Sequence, residues 1–393
     1  MAQEKNYNVA VVEETVANTY EAPTVGGDFI EMAEPPTPVT DQEIIERNVV
    51  RGTLGRLATR RGQKIGTAEL AVELKSSGNV TASQADVARI EQLIEACLGQ
   101  KKRHASNDTV SVGGGSTATV IETDASDYEV GDVVKILNEI RHVESIGTGP
   151  DSITLNAALT AGAPADATAI IRGSTMKPDS ADARRYSLTA YDQPAGTAGW
   201  RTELIGASVA NMSLQDISNG SLPKASFNFD AVDWEEDANI TNGITPVFEG
   251  STPPDNLNVL MLINDISVDS NNIALTVDKA VTPQKVITNA SGILSRIATD
   301  RNITGSFDYY PSDTDSTLFD NFENNDTVDM QFQWGDRDGS NNLIQGTIIS
   351  IYLPRVKLNS GSRAGEDGFI KRTVNFQAFE SSLTDSEIYI GIL

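Results

Sequence analysis

The 393-residue chain has one cysteine, Cys97, and two histidines, His104 and His142. A lone thiol excludes an internal disulfide framework. Neither histidine has a partner at metal-ligand spacing, and no nucleophile elbow accompanies them. Gly113-Gly114-Gly115 lacks the Lys-Ser/Thr of a phosphate loop and reads as a flexible joint. Asp313–Asp315 and Asp336–Asp338 lack the twelve-residue calcium loop ending in Glu. Asp336-Arg337-Asp338-Gly339 reads instead as a hairpin turn. No catalytic, metal or cofactor site is expected. No apolar run approaches the roughly 18 residues of a membrane span. Met1–Asn6 lacks the basic and apolar regions of a signal peptide, which implies synthesis in a cytoplasm. Positive charge is also scarce, and the net charge of −25 provides no basic footprint for gripping phosphates.

What the chain does have is strand and turn chemistry, rich in Thr, Ser, Val, Ile, Asn and Gly. Residues 1–48 are acidic and punctuated by Pro23, Pro35, Pro36 and Pro38, and read as an extended arm with a short strand over Tyr7–Val12. Residues 51–104 are basic by +5, whereas residues 1–50 sum to −8. Such a contrast suits contacts between copies, or simply a solvated surface. Over Thr67–Lys75 the chain alternates. Ala68, Leu70, Val72 and Leu74 point one way and Glu69 and Glu73 the other, as in a half-buried strand. Ser83–Leu98 reads as a helix with Ser83 as N-cap, an apolar stripe of Val87, Ile90, Ile94 and Cys97, and Gly99 as its stop.

Residues 105–182 read as a small all-β module with loop-like flanks. Its expected strands are Ala118–Thr123, Val133–Leu137, Ser152–Leu155 and Ala167–Ile171. Longer strands follow, including Ala207–Leu214 and Ala225–Val232. Ser251–Asn256 reads as a linker, and a second short helix is expected near Ser316–Phe322.

A repeat runs through the chain. Leu54–Arg61 matches Leu294–Arg301 at an offset of 240. Gly66, Glu69 and Leu70 then match Gly305, Asp308 and Tyr309 at 239. Phe227–Ala231 matches Val374–Ala378 at 147. Chance similarity between two β-rich halves is the competing account. The unequal offsets place residues 105–182 as an insertion in the first copy. Sheets of this kind either face water or join edge to edge between copies. In the second case their acidic faces, with Glu69, Glu73, Asp230 and Asp308, line a channel that repels DNA phosphates.

The run Ile45–Gly55, followed by Arg60-Arg61-Gly62 and the strand Ala68–Leu74, resembles the opening of tail tube proteins of long-tailed phages, as does the acidic segment Val11–Tyr20. The resemblance implies a mainly β fold with short helices. It implies two tandem tail-tube β-sandwich or barrel domains, each with a flanking helix. These would be residues 1–104 with 183–252, and residues 253–393, with the β module 105–182 inserted on the outer surface. The family's subunits stack as rings around a DNA channel, six tube domains per ring, so a duplicated subunit implies a trimer of pseudo-sixfold symmetry. Arg56, Arg60, Arg61, Arg296 and Arg301 are then candidate ring contacts. The arm 1–48 and the loop Gly335–Leu343 would bridge rings. Implied partners are further copies of the chain, the tape measure protein and viral DNA in the lumen, and tail terminator and distal tail proteins at the ends. The implied location is the virion tail, assembled in the host cytoplasm. The rival reading is a β-rich surface adhesin or carbohydrate-binding module, for which Trp200, Trp234 and Trp334 would have to form a platform. A tail or cell-wall hydrolase is a third.

Overall fold

In the computed structural model, the alternation around residue 70 becomes the long strand β4, and β4 is one of two sets of strands built on the same plan. The structure describes residues 7–47, 58–78, 88–112, 115–148, 151–181, 184–218, 220–254, 256, 259–311, 323–366, 369–381 and 386–393. The fold is mainly β with short helices.

The first set is β1 (Asn8–Glu13), β2 (Phe29–Ile30), β3 (Val39–Ile45) and β4 (Arg60–Glu73). After an interruption it continues as β13 (Tyr186–Tyr191), β14 (Ala198–Ser218), β15 (Lys224–Ala231) and β16 (Asp233–Thr241). The second is β17 (Leu260–Ile263), β18 (Ile266–Ser267), β19 (Ser270–Lys285), β20 (Ile293–Tyr309), β21 (Thr327–Trp334), β22 (Ile349–Glu366), β23 (Phe369–Ala378) and β24 (Tyr389–Ile392). Seven antiparallel pairings recur in the same chain order. In the first set they are β1–β2, β1–β13, β3–β4, β4–β15, β13–β14, β14–β15 and β14–β16. In the second they are β17–β18, β17–β21, β19–β20, β20–β23, β21–β22, β22–β23 and β22–β24.

Even a bulge recurs. The β14–β15 ladder slips between Val209 and Asn211, and the β22–β23 ladder between Leu358 and Ser360, against Phe229-Asn228 and Phe376-Asn375 respectively. A bulge bends a strand and raises its twist. Here it lets β14 and β22 leave one sheet and enter the next. The ladders also correct the repeat's register. Phe229 faces Ala68 and Phe376 faces Gly305, so equivalent positions on β4 and β20 differ by 237, not 239 or 240. The two-residue correction keeps every face. The three-residue one means that the block at 240 does not mark equivalent ladder positions.

The two sets are joined through β14 and β19, which pair over Asn211–Ser218 and Asn272–Asp278. One sheet therefore runs β3-β4-β15-β14-β19-β20-β23-β22. A row across it reads Leu70, Phe227, Met212, Val277, Ile303, Ala378, Val356, all apolar and buried. Residues one step along point to the other face, because the strand period is two.

Residues 1–48 differ from expectation. Val9, Val11, Phe29 and Ile30 are buried, and β1, β2 and β3 all pair within the fold, so the described part of this segment is not a free arm. Val9, Val11 and Ile30 join the main core, while Phe29 packs with Ala10 and Tyr191 in a separate cluster. The helix α1 (Arg89–Leu98) is shorter than expected. Its N-cap is Ala88, and Ser83 and Val87 lie outside the described residues. Gly99 ends it at φ 114°, a left-handed position that glycine takes without strain. Ile90, Ile94 and Cys97 are buried, and burial pushes the Cys97 thiol up to about 11. The second expected helix, Ser316–Phe322, lies outside the described residues.

The interruption of the first set carries α1, β5 (Gly99–Arg103), a six-stranded module and β12 (Ser174–Pro178). The module comprises β6 (Asp108–Thr109), β7 (Val120–Glu122), β8 (Val133–Ile136), β9 (Glu139–Thr148), β10 (Asp151–Leu155) and β11 (Ala169–Arg172). It has its own core, including Ile121, Ile136, Val143, Ile153 and Ile170. Strand β9 was not read in the sequence. The flanks are not loops: β5 pairs with β12, and β12 pairs with β24 of the second set.

Gly305 marks a close approach in the long sheet. A Cβ there would lie 2.3 Å from the Phe376 ring and 2.5 Å from Ala274 O. Gly305→Val should therefore destabilise the chain by about 1–3 kcal/mol, read as a lower melting temperature, because a packed core resists added volume.

Candidate functional site

The opposite face of the long sheet is mostly polar. Next to the apolar row lies Ala71, Ser226, Ser213, Thr276, Thr304, Gln377, Lys357, contributed by seven strands and polar at six of seven positions. The row beside it holds Glu69, Asn228, Asn211, Asp278 and Asn302. The alternation seen in β4 alone is thus carried across both sets.

Glu69, Glu73, Asp230 and Asp308 all share this face, but not in one electrostatic state. Glu69 is exposed and accepts from Ser226 Oγ at 2.7 Å. Glu73 is half-buried and faces Lys224 across the ladder. Asp230 is ion-paired with Arg296 at 3.3 Å. Asp308 is ion-paired with Lys371 at 3.3 Å and accepts from Thr373 Oγ1 at 2.5 Å. Asp278, which sequence reading missed, is exposed on the same face. Its signal was the alternation Ile273, Leu275, Val277, all buried.

The candidate contact arginines separate. Arg60 and Arg61 are exposed beside Ile45 and Ile44 of β3. Arg296 is buried, donates to Ala231 O at 2.8 Å and pairs with Asp230, so it joins the two sets within one chain. Arg301 makes two bonds to the Glu387 carboxylate, both at 2.9 Å. Both are thus engaged within the chain. Burial explains the difference, since a buried guanidinium needs a close partner. Arg56 lies outside the described residues.

The module docks on the second set. Val133 and Ile140 pack against Leu343, Ile348 and Leu393. Lys135 Nζ donates to Leu343 O at 2.6 Å, and Asn138 bonds both Asn341 O (3.0 Å) and Leu343 N (2.6 Å). The stretch Asn341–Leu343, expected to bridge rings, is therefore held by the module. Asp338 closes the preceding turn, accepting from Ser340 N (2.9 Å) and Asn342 N (2.8 Å). His142 sits at the centre of the dock. Its Nδ1 lies 2.9 Å from Gly131 O, its Nε2 lies 2.9 Å from Ser350 Oγ, and its ring stacks on Tyr352. Gln331 Nε2 donates to Ile140 O at 3.0 Å beside it. His104 Nε2 lies 2.9 Å from Asp132 Oδ2. Among the described residues no three His, Cys, Asp or Glu side chains gather as a metal site. No described helix is long and apolar enough to cross a membrane. Trp334 is buried, Trp200 is exposed, and Trp234 lies under Lys64.

A family model described as phage tail tube protein matches residues 6–378. No curated protein matches the chain.

Burial in the dock pushes His142 down to about 4 from its ordinary 6.5. The folded chain then binds fewer protons than the unfolded chain between those values. The contribution of neutral His142 is complete above pH 6.5 and is lost as pH falls towards 4, to a total of about 3 kcal/mol. Thermal unfolding between pH 7 and 4 should show a shallower acid loss for His142→Gln than for the wild type.

Proposed function

The chain belongs to the phage tail tube protein family, and we propose that its copies close into rings that stack as the tail tube, with the polar face of the long sheet lining the channel. The role is structural. The observation that carries this reading is the continuity of the sheet: eight strands in one chain, apolar on one face and polar on the other, with a strand edge at each end. Such edges are satisfied when copies join and the ring closes. The apolar face, already covered by the other layer, turns outward.

Size favours three copies. Strands about 4.8 Å apart, eight from each of three copies, give a circumference of about 115 Å and a backbone diameter of about 37 Å before strand tilt. That leaves room for duplex DNA once side chains are allowed for. The lining suits passage rather than binding. Small hydroxyls and amides dominate, Asp230 and Asp308 are balanced by Arg296 and Lys371, Glu73 faces Lys224, and exposed Glu69 and Asp278 repel phosphates. Tape measure protein occupies the lumen before DNA does, and terminator and distal tail proteins cap the ends. Assembly takes place in the host cytoplasm.

Electron microscopy of purified protein tests the reading. Rings or tubes of uniform diameter with threefold or pseudo-sixfold symmetry are expected, and monodisperse monomers at all concentrations would refute it. Glu69→Lys with Glu73→Lys should leave tube growth intact. The variant tubes should retain DNA in a salt-dependent manner, measured as DNA remaining on tubes after washing.

A further inference from the structure

The joint inside the chain has an unfilled counterpart at each end. β14 gives one edge to β15, and its other edge first to β13 and then to β19. β22 holds the same place in the second set. It gives one edge to β23, but the other only to β21, which ends opposite Lys357. Among the described residues, no strand pairs with that edge from Leu358 to Gly365. At the far end, β19 lies between β14 and β20, whereas its counterpart β3 has β4 on one side and, among the described residues, no strand on the other.

We infer that the open edge of β22 takes the β3 edge of a second copy, in the register of the β14–β19 joint. This rests on the ring reading and specifies its contact. The paired bulges make β14 and β22 equivalent at an offset of 149. The bulges between Gln42 and Ile44 and between Lys279 and Val281 make β3 and β19 equivalent at 237. Inside the chain Met212 faces Val277 and Ser213 faces Thr276. Between copies, Gly361 therefore faces Thr40 and Ser362 faces Val39.

The chemistry of the two edges fits. The β3 strand carries Asp41 and Glu43, followed by Glu46, all exposed, while the β22 stretch carries Lys357 and Arg363. Opposite charges at facing edges steer partners and set register. Val39, Ile44 and Ile45 are 51%, 67% and 49% exposed, high values for apolar residues on a strand. Prolines limit the ladder. Thr37 turns its N–H towards Glu69 O (3.4 Å), which leaves Pro36 and Pro38 on the outward side with carbonyls but no donors. Along that stretch bonds run only from the β22 side. A free copy thus has an edge that resists uncontrolled sheet growth and still accepts the correct partner.

The test is Val39→Cys with Ser362→Cys, a pair at a non-hydrogen-bonded position where Cα atoms lie about 4.5 Å apart, within disulfide range. Within one chain the two residues sit on opposite ends of the sheet. Oxidation of assembled protein should replace the monomer band with a reducible covalent ring. Each single variant, and Glu46→Cys with Ser362→Cys, should stay monomeric on denaturing gels. As a second measurement, carbodiimide treatment of wild-type assemblies should join Lys357 to Asp41 or Glu43 of another copy, located by mass spectrometry. Uniform rings or tubes that give neither product would overturn this joint and leave the ring reading intact. Absence of any ring or tube would overturn both.

Discussion

The antiparallel ladder between β14 and β19 is the contact on which the rest of the structure depends. Without it the two sets of eight strands would share no long sheet, and each would keep its own edges. With it, a single sheet carries one apolar and one polar face through both sets. Because strand side chains alternate strictly, the ladder can form only where both strands bring their apolar residues to the same side. Met212 and Val277 meet on the buried face, and Ser213 and Thr276 on the polar one. Arg296 strengthens this union from the side, reaching from β20 to Ala231 O and Asp230 of the first set.

A sheet that must face water on one side and a core on the other needs its long strands to change layers. β14 does this at Gly206 (φ 65°), where a Cβ would lie 2.4 Å from Asn18 Oδ1, and at the bulge after Val209. β22 reaches the same turn with Pro354 and the bulge after Leu358. Both solutions interrupt the ladder where the strand leaves one sheet for another. The bulge also anchors register. An odd slip would invert the faces, and an even slip would misplace the bulge.

The polar face was legible in part. Alternation over residues 67–75 identified the buried and exposed sides of β4, and the match of Phe227–Ala231 to Val374–Ala378 marked strands that do occupy the same place in the two sets. The match of Leu54–Arg61 to Leu294–Arg301 did not lie on equivalent ladder positions. Short blocks of Arg, Ala and Thr are weak markers of register, whereas a bulge flanked by Phe and Asn is a geometric one. Residues 1–48 were misread because prolines and acids dominate their composition. The few apolar residues there, Val9, Val11, Phe29 and Ile30, decide their place by burial. The internal partners of Arg296 and Arg301 were not legible for a related reason: sequence shows a charge but not whether a carboxylate already faces it.

The dock of the module on the second set could not be read from either partner alone. Its contacts join Lys135, Asn138, Ile140 and His142 to residues about two hundred positions away. None forms a motif, since a neutral buried histidine between a carbonyl and a hydroxyl needs no neighbour in sequence. This placement also gives the insertion a physical role. It begins in the first set, rests on β21, β22 and the 335–347 loop of the second, and continues through β12 into the edge of β24. The two sets are therefore joined both through the β14–β19 ladder and through the module, besides single contacts such as that of Arg296. Two separated attachments resist relative rotation of the sets far better than one. A sheet held at constant curvature in this way presents its two terminal edges at a fixed angle. A fixed angle is what a closed ring of identical copies requires, because a joint free to rotate would admit open chains of varying pitch.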